Sequence, residues 1–148
     1  MIKTQIHKTE RENMKLIGGQ KLKELGSTRH TEDSDYIIFD SSKDVFTHDT
    51  ENDIDYINAA KNDFFGKIWN KEIDNSEISL NSLLELKSFS FVQHCQNMNF
   101  TKADNDEFDI KFLVRKLGFD VNFNIVKKYI SAGEMSEIVK IINSMKRS

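Results

Sequence analysis

The segment Asp33-Ser34-Asp35-Tyr36-Ile37-Ile38-Phe39 constrains the fold more than any other part of the chain. Its β-branched and aromatic residues make it the clearest strand in the sequence. Strand alternation sends Asp33 and Asp35 to one face, roughly 6–7 Å apart by strand rise. Upstream, Met14-Lys15-Leu16-Ile17 reads as a brief strand running into Gly18-Gly19, a turn that exposes backbone. Leu22 and Leu25 are spaced for one helical face and Gly26 is a natural stop, which predicts a short helix over 19–25. Ser27 to Glu32 is a polar loop feeding the strand.

The remaining chain is read more coarsely. Thr9-Glu10-Arg11-Glu12 has capping-box spacing and suggests a helix start near the N-terminus. Residues 40–53 are polar and predicted as loop. In 54–65, Ile54, Ile57 and Phe64 would suit a helix, and 67–73 reads as a further, weaker strand. Beyond these the chain is helical. Ser82-x-x-Glu85 and Asp104-x-x-Glu107 have capping-box spacing, Gly118 is a stop, Asn122 is a candidate cap, and Ile138, Ile141, Ile142 and Met145 define a last helix. The expected class is α+β in one domain, 1–148. A small mixed sheet in the N-terminal half, about 14–78, is expected to pack against C-terminal helices, about 79–148.

Composition narrows the partners. With eleven Phe and 38 % hydrophobic residues, the 148-residue chain has enough apolar material for one core. A formal net charge of −3 with dispersed Lys and Arg shows no basic arm and no acidic tail. A single Cys95, no signal-like segment and no long apolar run lead us to expect a reduced, cytoplasmic setting without a membrane. His7, His30, His48 and His94 lack metal-ligand spacing, and His94-Cys95 are neighbours that point apart on a helix.

The chemistry therefore centres on two features. Paired carboxylates on one strand face repel unless a cation lies between them, and Mg²⁺ accepts such a pair together with water and phosphate oxygens. Gly18 and Gly19 let backbone N–H groups approach phosphates where a helix begins. Taken alone, a Gly-Gly pair is most simply a turn, and Asp-x-Asp a solvated junction. In this order they suit phosphoryl transfer.

An apolar residue, Gly-Gly, a short helix and Asp-x-Asp together resemble the nucleotidyltransferase superfamily that contains DNA polymerase β. The likeness is greatest to abortive-infection toxins of the AbiEii type and related small nucleotidyltransferase-like proteins. Arg29, Thr31, Asp33 and Asp35 stand where that pattern has its Arg, Ser or Thr and two aspartates. Leu84-Glu85-Leu86-Lys87 and Lys102-Ala103-Asp104 to Asp109-Ile110 look like its later Lys and Asp segments. Gln20, Lys21 and Ser34 depart from the pattern, which has small or apolar residues there. The resemblance implies Mg²⁺ (or Mn²⁺) on Asp33 and Asp35, a nucleoside triphosphate on Gly18, Gly19, Arg29, Thr31 and Lys87, and a third carboxylate as base. Glu72 is the leading choice for that base beside Asp74, with Asp55 and Asp63 as alternatives. The implied activity is transfer of a nucleoside monophosphate to a hydroxyl on RNA, protein or a small molecule, in a toxin or phage-defence setting with a partner protein or oligomer. The alternative is an inactive relative kept as a binding or regulatory protein.

Overall fold

The structure, a computed structural model, describes residues 14–31 and 34–147. The proposed helix start at Thr9 and the residues Glu32 and Asp33 lie outside that range. The chain divides into two compact units, 1–79 and 80–148, close to the expected change from sheet to helices.

The first unit holds a four-stranded mixed sheet. Strand β1 (Met14–Ile17) runs into helix α1 (Gly18–Glu24), followed by β2 (Ser34–Ile38), β3 (Phe46–Asp49) and β4 (Ile54–Asn58). The spatial order is β1-β2-β4-β3; β2 and β4 are parallel, while β1 with β2 and β3 with β4 are antiparallel. A 3-10 turn (Ala59–Lys61) then leads into α2 (Asp63–Glu72).

Three expectations are corrected here. Residues 40–53 contain β3, a four-residue edge strand too short and polar to stand out from its loop. Residues 54–58 form a strand, not a helix, because β4 fills the slot between β2 and β3. Asn58 secures that slot: fully buried, it accepts from Asp40 and Ala60 N–H and donates to the carbonyls of Asp40 and Lys43. Residues 67–73 are helical through Glu72. Asn62 accepts from Phe65 N–H at 3.0 Å and starts a helix whose Phe64, Phe65, Ile68, Trp69 and Glu72 form one buried stripe.

Helix α2 covers one face of the sheet. Lys15, Ile37, Ile57 and Phe46 stand in register across the four strands. Phe65 meets Phe46 edge to face, Trp69 stacks on Phe39, and the Lys15 ammonium lies 4.7 Å from the Trp69 ring centre.

The second unit is helical: α3 (Leu80–Gln96), α4 (Phe100–Lys116), a 3-10 turn (Val126–Lys128) and α5 (Ala132–Lys146). Neither capping-box spacing in 82–107 begins a helix. Ser82 and Glu85 lie inside α3, and the fully buried Glu85 carboxylate accepts from Ile125 and Val126 N–H. Asn99, not Asp104, caps α4. Asn122 precedes a 3-10 turn and exchanges hydrogen bonds with Asn81. The box that does form is Ser131 with Glu134, at the start of α5. Gly118 follows the end of α4 with φ +60°, as a stop should. Among the described residues, no helix is long and apolar enough to cross a membrane.

Candidate active site

The sheet register assembles a site that chain order alone does not display. Ile17 pairs with Asp35, Asp35 with Asp55, and Asp55 with His48, so these four residues form one row across β1, β2, β4 and β3. Neighbours in such a row share a face. Asp35 and Asp55 are thus adjacent carboxylates whose strands lie about 4.8 Å apart. The row sits two residues from the one that α2 covers, on the same face.

Gly18 follows directly after this row and is in the left-handed region at φ +73°. A Cβ there would strike the Asp35 carboxylate, coming within 2.9 Å of its Cγ. Glycine is therefore required twice, for conformation and for space. At Gly19 a Cβ would meet Thr31 Cγ2 at 2.6 Å, so Gly19 permits close approach of the loop before β2. The Gln20 side chain reinforces that approach, donating to the Thr31 carbonyl at 2.9 Å. No side chain caps the first turn of α1. Gly18 is thus brought against Asp35, and Gly19 against Thr31.

The carboxylates considered for the base stand in different surroundings. Glu72 is 2 % exposed at the end of α2, and its two carboxylate oxygens accept from the Ser79 backbone N–H and the Ser79 hydroxyl. That carboxylate fastens the 73–79 segment. Lys21 fastens it again from α1 through a 2.9 Å ion pair with Glu77, which holds the Glu77 carboxyl below its ordinary value. Asp55, one of the alternatives, is the carboxylate that the sheet places beside Asp35. His48 has no ligand spacing in sequence, yet its Nδ1 lies 2.6 Å from Asp55 Oδ1. Only strand order could reveal either residue. Next to His48, the Asp49 carboxyl is held below its ordinary range, first by the Asn52 side-chain amide and then by the Asn52 backbone N–H.

Arg29 lies in the loop between α1 and β2, with its backbone N–H donating to Ser27 Oγ at 3.3 Å. Lys87 belongs to the helical unit. Its ammonium is paired with fully buried Asp109 at 2.9 Å and lies 3.8 Å from Asp106. The two later segments singled out by the resemblance therefore do meet, as an ion pair between α3 and α4. With two carboxylates already on Lys87, its role as a phosphate ligand has no support from this geometry. His94 joins the same cluster through Asp106 at 2.6 Å, and Ser90 donates to the same Asp106 oxygen. Burial and then the Asp106 charge push the Cys95 thiol up, away from a reactive thiolate.

The donors suit a hard divalent cation. A carboxylate on β2 with a second carboxylate in register, beside a glycine that leaves room at Asp35, matches the few-carboxylate, water-rich shell of Mg²⁺. Among the described residues, no group of three or more His, Cys, Asp or Glu side chains is placed to hold a metal ion. No protein-family model matches the chain, and comparisons with curated proteins and with solved structures find no match.

Proposed function

We propose that the chain is a cytoplasmic nucleotidyltransferase that moves a nucleoside monophosphate from a nucleoside triphosphate to a hydroxyl on RNA, protein or a small molecule, as a toxin or phage-defence component. The observation that carries this reading is the register of Asp35 with Asp55 directly beside Gly18.

Asp35, together with Asp33, would hold Mg²⁺, which when bound offsets charge on the triphosphate. The Gly18-Gly19 backbone would lie against the phosphates, where any side chain would intrude. Asp55 acts as the base, taking the proton of the acceptor hydroxyl as its oxygen bonds to the α-phosphorus. The bond from that phosphorus to the oxygen bridging to the β-phosphate breaks, and pyrophosphate leaves. In this reading two adjacent carboxylates serve different ends, one for the metal and one for the proton.

Calorimetry with each nucleoside triphosphate, with and without Mg²⁺, tests the binding step. The expected result is Mg²⁺-dependent binding by the wild type that is lost in Asp35→Ala. Absence of heat at millimolar nucleotide would remove the proposal.

A further inference from the structure

We propose that His48 is a positioning residue for Asp55, holding one carboxylate oxygen so that the other is presented to the acceptor hydroxyl. The inference rests on the nucleotidyltransferase reading and deepens it. A carboxylate only accepts hydrogen bonds, so the 2.6 Å contact from His48 Nδ1 to Asp55 Oδ1 is an imidazole N–H donation. The pair is set by cross-strand register, and therefore by the β3–β4 hairpin rather than by a mobile loop. The other ring nitrogen, Nε2, lies 3.6 Å from Asp53 Oδ1. Asp53 sits at the hairpin turn with φ +52°.

The need for such a holder follows from Asp35. Two carboxylates on adjacent strands repel, and an unheld Asp55 side chain would rotate away from its neighbour. A donor on the far side of Asp55 fixes one oxygen and leaves Oδ2 for the proton. The His48 and Asp55 side chains are 45 % and 47 % exposed. A contact so open to solvent contributes little to folding, so its effect is expected on the reaction instead.

The test measures transfer of label from a nucleoside triphosphate to the acceptor found active with the wild type, using wild type, Asp55→Asn, His48→Phe and His48→Gln. Removing a partner that orients a functional group commonly lowers activity about 10–100-fold. His48→Phe is expected to lower kcat by at least about 10-fold, with KM for the nucleotide and the unfolding temperature unchanged. His48→Gln, which keeps an N–H donor, should recover most of the loss. A wild type without transfer on RNA, protein or small-molecule acceptors overturns both this inference and the reading beneath it. An inactive Asp55→Asn with an unaltered His48→Phe overturns the His48 role alone. So does a His48→Gln as slow as His48→Phe, or a His48→Phe that fails to fold.

Discussion

Gly18 is where conformation and chemistry meet in a single residue. Its φ of +73° and its contact with the Asp35 carboxylate both exclude a side chain. Gly18→Ala should cost roughly 1–2 kcal/mol from the left-handed backbone alone, with further loss from displacing Asp35. Urea unfolding reads the first effect, and weaker nucleotide binding in calorimetry reads the second. Glu72 makes the opposite case, a carboxylate that sequence order nominated for chemistry and that the fold uses for structure. Glu72→Ala leaves the Ser79 N–H and hydroxyl without their acceptor and should destabilise by about 1–3 kcal/mol. The transfer rate per folded molecule should stay at the wild-type level; a fold-intact, inactive Glu72→Ala would return Glu72 to the site. The difference between these residues is physical. Gly18, Gly19, Thr31 and Asp35 are linked by one strand, one turn and one loop, which local spacing encodes. Choosing among Asp55, Asp63, Glu72 and Asp74 requires knowing which strand lies beside β2.

At the level of elements, the α3–α4 pair is tied by a buried ion pair. Lys87→Met would remove the ammonium paired with the fully buried Asp109 and should cost about 3–5 kcal/mol. Adding Asp109→Leu should recover most of that loss, because an apolar pair of similar size fills the same space. Chemical denaturation of the two variants checks both statements. Helix α5 supplies a pH-dependent test. Glu134 accepts from the Ser131 backbone N–H at 2.7 Å, the chief cause of its lowered carboxyl pKa, with the Gln96 side chain second. A carboxyl with a depressed pKa in the folded state stabilises fully above its unfolded value and loses that contribution as pH falls through the folded value. Glu134→Gln should therefore be less stable than wild type near neutrality, and the gap should narrow in acid; Ser131→Ala, which removes only the hydroxyl cap, should cost about 1 kcal/mol. Capping-box spacing is visible at Ser82 and Asp104, yet the box that forms is Ser131 with Glu134, which the sequence reading did not single out. Ser82 and Asp104 lie inside helices, because α3 already begins at Leu80 and the Asn99 cap starts α4. The sheet was similarly half legible. β1 and β2 stand out by apolar content, whereas β3 and β4 are strands chiefly because they complete each other and β2.

For the whole molecule, the α+β class follows from the sequence because the strong strand precedes a long helical stretch with a clear change of pattern. The sheet unit carries the glycine turn and both registered aspartates; the helical unit carries the Lys87 cluster. With a net charge of −3 the protein has no general electrostatic attraction for a polyanion, so a nucleotide would have to be gained through local contacts and a metal. The central claim is that Asp35 and Asp55 act together in one site. The most direct measurement is transfer of labelled nucleoside monophosphate, in Mg²⁺, by wild type, Asp35→Asn and Asp55→Asn. Wild-type transfer that falls by at least about 100-fold in each variant, with both still folded, is the predicted result. Transfer undiminished in Asp55→Asn would contradict the account.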